Sequence, residues 1–145
     1  MKLVVQRVKN ASVTVEKKVI SHIEKGFLVL LGITGADTKN EANFLAEKLA
    51  KLRIMDDGVG KMNLSVTDAG GSMLIVSQFT LYGDTKGGNR PSFITAARPE
   101  VAEPLYEYFV EKVKSLGISV ATGQFGADMQ IDVTLDGPVT ILLEY

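Results

Sequence analysis

Apolar and polar positions along the chain form short runs that are typical of β-strands. The predicted strands are residues 3–8, 12–16, 19–23, 27–33, 72–81, 118–121, 128–135 and 139–145. We expect the first two to form a hairpin about residues 9–11, and the next two to form a second pair across residues 24–26. The run at residues 27–33 is apolar on both faces, so this strand should lie in the centre of the sheet.

Two helices are predicted where apolar residues recur every three or four positions. Thr38 and Glu41 have the spacing of a capping box, which predicts the start of the first helix, and its apolar face continues to an end near residues 57–58. The second helix should carry Pro104 in its first turn, where a missing N–H has little effect. Gly117 is expected to end it.

These elements predict an α+β fold: one domain over residues 1–145, with a largely antiparallel sheet or open barrel packed by two helices. Two helices cannot cover both faces of so many strands. The apolar strand surface left over, above all at residues 139–143, therefore predicts a homodimer.

Composition removes several classes of site. The chain has no cysteine and a single histidine, His22, which excludes thiol chemistry, disulfides and an imidazole metal cluster, so we expect no metal and no cofactor. Its N-terminus does not resemble a signal peptide, and its longest apolar run, residues 27–33, is too short for a membrane span. We expect a cytoplasmic protein with no membrane partner.

The formal net charge of −1 argues against general polyanion binding, so any such contact must be local. The best candidate is the loop that carries Lys86 and Arg90, with Arg98 close behind. A mobile loop with solvated charges is the alternative interpretation.

Two stretches remain unusual. Ser77, Gln78 and Thr80 place polar groups at the end of an apolar strand, and Gly137-Pro138 lies between two predicted strands. Both have ordinary explanations, namely hydrogen bonds at a strand end and a connecting turn. No phosphate-binding glycine motif or Ser-His-Asp arrangement is present, so an enzyme built on this chain would depend on main-chain groups, hydroxyls and the substrate itself.

Taken together, these stretches resemble the D-aminoacyl-tRNA deacylases along nearly the whole chain. Residues 77–81 (SQFTL) match the family's first signature, residues 123–129 (GQFGADM) its pocket stretch, and residues 136–140 (DGPVT) its second signature. Residues 1–15 resemble its first strand pair. One departure is Leu135, where the family commonly has asparagine, and it puts in doubt only a role for that side chain.

The resemblance implies hydrolysis of the ester between a D-amino acid, or mischarged glycine, and the terminal adenosine of tRNA. It also implies a homodimer in which a Gly-cis-Pro dipeptide, here Gly137-Pro138, enters the partner's active site and rejects L-amino acids by steric exclusion. Such a site should tolerate many D side chains. Arg7 is then expected to support this dipeptide in its own or the partner chain.

Further roles follow from the resemblance. Backbone N–H groups near Phe79 and Thr80 are hypothesised to stabilise the oxyanion, with Ser77 and Gln78 shaping the loop. Water attack assisted by the ribose hydroxyl is favoured over a nucleophilic Thr80, which lacks an adjacent general base. Phe125 and Met129 are expected to line the adenine pocket, with core packing as the competing role. Lys86, Arg90 and Arg98 are expected to contact acceptor-end phosphates.

Two rival functions remain at this point. A non-catalytic dimer that binds adenosine or nucleic acid would use the same residues without chiral selection. A purely structural dimerisation domain would leave the polar SQFT segment unexplained.

Overall fold

The computed structural model describes all residues 1–145 and contains strands, two α-helices and a 3-10 helix. The strands are β1 Lys2–Val15, β2 Lys18–Ile23, β3 Gly26–Gly32, β4 Met55–Asp56, β5 Met62–Leu64, β6 Ser72–Ser77, β7 Val120–Thr122 and β8 Gln130–Glu144. The α-helices are α1 Lys39–Ala50 and α2 Pro99–Ser115, and the 3-10 helix is Phe79–Tyr82. The predicted α+β class with two helices is confirmed. Neither helix is long and apolar enough to cross a membrane.

The main sheet has the order β2-β1-β3-β6-β7, and β8 pairs with β1 as well. All pairings of β1 are antiparallel, as predicted for most of the sheet. β3 lies between β1 and β6, which confirms its central position. The pairings β3–β6 and β6–β7 are parallel and were not predicted. Each parallel connection contains one of the two helices, as a crossover requires.

The two predicted hairpins at the N-terminal end are wrong. β1 is one continuous strand through Lys9 and Asn10, which are exposed where its pairing with β8 shifts register. The reversal comes later, at Glu16 and Lys17, which both have positive φ (49° and 65°), as in a two-residue type I′ turn. β2 and β3 both pair with β1 rather than with each other.

The boundaries of two other elements also differ from the prediction. The strand predicted at residues 72–81 ends at Ser77, because the chain then turns into the 3-10 helix. Helix α1 ends at Ala50 rather than near residues 57–58. Pro104 lies inside α2 rather than in its first turn, whereas Gly117 has the positive φ (83°) expected just after a helix end.

Gly137-Pro138 does not form a turn between strands. It lies within β8, which continues without interruption from Gln130 to Glu144 because both of its halves pair with β1. The register shifts between these halves, so the dipeptide occupies an irregular part of a paired strand. The Gly137-Pro138 peptide bond is cis.

The helices cover one face of the sheet and form the main core with it. Its largest buried side chains include Phe27, Leu31, Leu45, Leu49, Met73 and Phe109. A smaller cluster lies on the opposite face, around Val8, Val13, Leu28, Leu74 and Val76. Successive residues of β3 and β6 therefore enter different cores, which explains why both strands are apolar on both faces.

The predicted capping box at the start of α1 is confirmed. The hydroxyl oxygen of Thr38 accepts from the Asn40 N–H at 3.1 Å, and Glu41 Oε2 accepts from the Thr38 N–H and from its hydroxyl, each at 2.6 Å. These hydrogen bonds, that of the Thr38 hydroxyl first, lower the pKa of Glu41 below its ordinary value. The ionised carboxylate is thus part of the cap.

Replacing Thr38 with alanine should lower the free energy of unfolding by about 1 kcal/mol at pH 7. Because the folded pKa of Glu41 is depressed, its contribution is present above the ordinary glutamate pKa and is lost as pH falls through the folded value. The loss caused by T38A should therefore shrink in acid. Urea unfolding at pH 7 and at an acidic pH below the folded pKa of Glu41 measures this difference, with the exposed Thr67→Ala as control. An equal loss of unfolding free energy at the two pH values would contradict the role of the carboxylate.

Candidate active site

A cleft of about 610 Å³ opens where the parallel strands β3, β6 and β7 end. The carboxyl ends of parallel strands are a common position for ligand sites, because the chain leaves the sheet there in loops. The cleft is lined by Ile33, Val76, Ser77, Gln78, Phe79, Phe93, Ala96, Ala97, Arg98, Pro99, Ala102, Phe125, Gly126, Ala127, Asp128, Met129 and Ile131. It therefore contains six of the residues selected from the sequence: Ser77, Gln78, Phe79, Arg98, Phe125 and Met129.

The SQFT segment turns sharply at the cleft wall. The Gln78 N–H donates to the Leu31 carbonyl at 2.8 Å, which extends the pairing of β6 by one residue before the 3-10 helix begins. The Gln78 side-chain amide donates to Thr80 Oγ1 at 2.5 Å. Phe79 lines the cleft, whereas the exposed Thr80 lies beside it. Gln78 therefore fixes the loop conformation with two hydrogen bonds. Its backbone N–H binds β3, and its side chain binds the Thr80 hydroxyl.

No carboxylate or imidazole is hydrogen-bonded to Thr80; its hydroxyl has Gln78 as its side-chain partner. His22 lies on β2 and contacts Glu24 at 3.5 Å, away from the cleft. The structure contains no group of three or more His, Asp or Glu side chains positioned to hold a metal. Besides apolar surface and main-chain groups, the cleft lining offers the Ser77 hydroxyl, the Gln78 amide and two charged side chains, Arg98 and Asp128.

The pocket stretch is fixed to β6 through one carbonyl group. Ile75 O accepts from the Gly123 N–H at 3.1 Å and from the Tyr106 hydroxyl at 2.8 Å. Burial raises the pKa of Tyr106 to about 12, so its hydroxyl stays protonated and remains a donor at neutral pH. The Tyr106 ring also packs against Phe125, with 6.0 Å between centroids. The pocket stretch is therefore held at Gly123 by β6 and at Phe125 by Tyr106 of helix α2.

Phe125 and Met129 are half-buried side chains with one surface in the cleft. Phe125 packs against the main core and Met129 against the smaller cluster. A Cβ on Gly123 would lie 2.7 Å from the Met129 sulfur, so glycine leaves the space that this side chain occupies. The core-packing role considered for Phe125 is therefore present together with its exposure to the cleft.

Arg7 and the Gly137-Pro138 dipeptide form a second cluster, separate from the cleft of the same chain. Arg7 is the one buried charged residue, at 8% exposure. Its Nε donates to the Asp136 carbonyl at 3.2 Å and lies 3.1 Å from Asp136 Oδ2, while its Nη1 donates to Ile54 O at 2.8 Å. Arg7 therefore fixes the strand immediately before an exposed Gly137 and Pro138.

Of the three basic residues selected from the sequence, Arg98 lines the cleft and precedes α2. Lys86 and Arg90 are exposed on the loop between the 3-10 helix and α2, outside the cleft lining. Phe93 and Ala102 also line the cleft but were not predicted from the sequence. Phe93 is the one aromatic residue of the polar loop 83–97, a signal that could have been noticed, whereas Ala102 has no distinguishing pattern.

Comparison with known proteins adds independent observations. A family model described as D-Tyr-tRNA(Tyr) deacylase matches residues 4–144. Proteins named D-aminoacyl-tRNA deacylase from Koribacter versatilis (strain Ellin345) and Lacticaseibacillus casei (strain BL23) are 57% and 54% identical over 144 residues, covering 99% of this chain and 97% of each relative.

Two solved structures share the fold. One is described as c-Myc DNA Unwinding Element Binding Protein and has a TM-score of 0.94 at 44% identity, covering 100% of this chain and 99% of its own. The other is described as a probable eukaryotic D-amino acid tRNA deacylase; its TM-score is 0.85 at 17% identity, with 98% and 97% coverage. On the sequence matches, the chain belongs to the D-Tyr-tRNA(Tyr) deacylase family, a family of ester hydrolases.

Proposed function

We propose that this protein hydrolyses the ester of D-aminoacyl-tRNA, and of glycine mischarged on tRNA, to free tRNA and amino acid in the cytoplasm. The observation that carries the proposal is the family match over residues 4–144, which includes the cleft-lining SQFT segment, the pocket stretch and Gly137-Pro138. The relatives at 57% and 54% identity are named D-aminoacyl-tRNA deacylase.

The terminal adenosine is proposed to bind against Phe125 and Met129. An aromatic face and a polarizable thioether suit a purine base. Support comes from the partial burial of both residues, which fixes each side chain and leaves one surface open to the cleft. The ester would then lie toward Phe79, which lines the same cleft.

The chemical step is proposed to be water attack on the ester carbonyl, which breaks the bond to the ribose oxygen. Main-chain N–H groups of Phe79 and Thr80, at the start of the 3-10 helix, have no acceptor within that helix and are assigned to the developing oxyanion. Ser77 and Gln78 hold the loop. The neighbouring ribose hydroxyl is assigned to assist the water, because no carboxylate or imidazole is hydrogen-bonded to the SQFT segment.

Thr80→Ala tests the rival in which Thr80 is the nucleophile. With water as nucleophile, single-turnover release of D-tyrosine from D-tyrosyl-tRNA should stay within about tenfold of the wild type, whereas loss of a covalent nucleophile costs about 10⁴-fold or more. Thr80→Ser keeps the hydroxyl and serves as the matched control. A near-complete loss in T80A with retention in T80S would establish Thr80 as the nucleophile.

Chirality is proposed to be read across a homodimer. Gly137 and Pro138 of one chain are exposed and lie outside the cleft of that chain, which supports a role in the cleft of a partner. Gly137 has φ +122°, and a Cβ there would lie 2.7 Å from Val139 Cγ2 and 3.3 Å from Arg7 Nη2. Val139 and Arg7 pack closely against Gly137, and Arg7 also holds Asp136 in place. This segment is therefore proposed to be a rigid steric barrier in the space into which an L side chain would project.

Replacing Arg7 with methionine should weaken this barrier. The Ile54 carbonyl loses its buried donor and Asp136 its ion-pair partner, so unfolding free energy should fall by about 2 kcal/mol. Hydrolysis of L-tyrosyl-tRNA should increase relative to that of the D ester. Arg53→Met is the matched control: Arg53 also donates to a carbonyl, but it is exposed, so its loss should stay within about 0.5 kcal/mol. Unchanged selectivity in folded R7M would contradict the supporting role.

Lys86, Arg90 and Arg98 are proposed to contact phosphates of the tRNA acceptor end. Arg98 lies in the cleft, and the other two are exposed on the adjoining loop. With a formal net charge of −1 on the whole chain, this attraction is local.

The central experiment is a paired deacylation assay with D-tyrosyl-tRNA and L-tyrosyl-tRNA, in the presence of a chelator. We expect rapid release from the D ester alone, without a metal requirement. Release from both would contradict exclusion by Gly137-Pro138. Release from neither, with tRNA still bound, would favour the second candidate, a non-catalytic nucleic-acid-binding dimer; the 44% identical structure described as a DNA-unwinding-element-binding protein keeps that candidate open.

A further inference from the structure

An exposed pair of aromatic rings stands at the cleft. Phe79 and Phe93 are 54% and 38% exposed, with ring centroids 5.1 Å apart in an edge-to-face arrangement of 73°. Both line the cleft, yet neither belongs to the main core or the smaller cluster. We call these two residues the aromatic pair. Folding of the chain does not account for it.

The loop that carries Phe93 is held in place near the ring. Asp84 and Ser92 exchange two backbone hydrogen bonds of 2.8 Å, and the Thr34 hydroxyl donates to the Thr95 carbonyl at 2.6 Å. A Cβ on Gly83 would lie 3.0 Å from Phe93 Cε1, so glycine leaves the space in which the ring rests. The ring is therefore presented in a defined orientation.

The surroundings of the aromatic pair suit a nucleotide. Lys86 and Arg90 lie on the same loop, and Arg98 lines the cleft beside it. An unpaired base stacks on an exposed aromatic ring, and cations nearby attract its phosphate. Asp84 on the same loop and Asp128 in the cleft lining offset part of this charge, but three cations against two carboxylates leave the site net positive. Charge complementarity therefore favours a nucleotide over an amino-acid side chain.

We propose that Phe93, the member of the aromatic pair on the loop, stacks the base of the nucleotide that immediately precedes the terminal adenosine of tRNA. This inference rests on the proposed function and extends it to a second nucleotide site. With adenine against Phe125 and Met129 in the same cleft, the chain of the single-stranded 3′ end would leave past Phe93. Phe93 is assigned to substrate binding and takes no part in the chemical step.

The test compares two small substrates that share their ester: D-tyrosyl-adenosine and D-tyrosyl-cytidylyl-adenosine. For the wild type, kcat/KM should be about tenfold higher for the dinucleotide, in keeping with one stacked base. In Phe93→Leu, which keeps apolar volume without an aromatic face, that ratio should fall to about one. Phe93→Tyr should restore it. The neighbouring Ile94 is 92% exposed and outside the cleft lining, so Ile94→Ala should keep the wild-type ratio.

Calorimetric binding of unacylated cytidylyl-adenosine and adenosine separates this inference from the proposed function. If the wild type cleaves neither ester, the proposed activity fails, but preferential binding of the dinucleotide that is lost in F93L still supports the second site. Equal losses for both substrates in F93L would overturn it in favour of a structural role. A third outcome would also overturn it. If F93L lowers kcat/KM for D-tyrosyl-adenosine but not for D-alanyl-adenosine, Phe93 contacts the aminoacyl side chain instead.

Discussion

The buried guanidinium of Arg7 is the contact on which the geometry of the second signature depends. It joins three parts of the chain that are far apart in sequence: β1, the segment before β4 through Ile54, and β8 through Asp136. A charge at 8% exposure is costly unless it is paired, and Arg7 has two carbonyls and a carboxylate as partners. The same bonds hold β8 next to Gly137, where its pairing with β1 is irregular. The contacts of Arg7 that stabilise the fold therefore also fix the position of Gly137-Pro138.

The cleft depends on a different constraint, the parallel pairing of β3, β6 and β7. This pairing brings Ile33, Ser77 and the stretch after Thr122 to one edge of the sheet, and α2 begins at the same edge. The Ile75 carbonyl then ties Gly123 and Tyr106 to β6. The two signatures consequently lie in separate parts of the chain: the first lines the cleft at the ends of the parallel strands, and the second is an exposed segment within β8. A site that needs both is most simply completed by two chains.

Local signals in the sequence predicted local structure well. The capping box of Thr38 and Glu41, the helix end at Gly117 and the central position of β3 depend on neighbouring residues or on apolar content alone. Apart from the end of α1 and the position of Pro104, the failures are non-local: Lys9 and Asn10 resemble a turn, but pairing with β8 keeps them in a strand. The same pairing keeps Gly137-Pro138 within β8. Parallel pairing leaves no short-range signal, so the cleft could be expected only from the resemblance, and Ala102 not at all.

The proposed division of labour would allow one small protein to combine strict chirality with tolerance of many side chains. D and L esters carry the same chemical groups, so attraction at the adenosine or at the oxyanion cannot separate them. Discrimination must come from excluded space, and this needs a segment that deforms less readily than the substrate. Gly137, with close neighbours and Arg7 behind it, is proposed to meet that requirement, whereas most residues that line the cleft are apolar. Binding energy can then come from the nucleotides, which every substrate shares, and chirality from a steric barrier that contacts only the disallowed isomer.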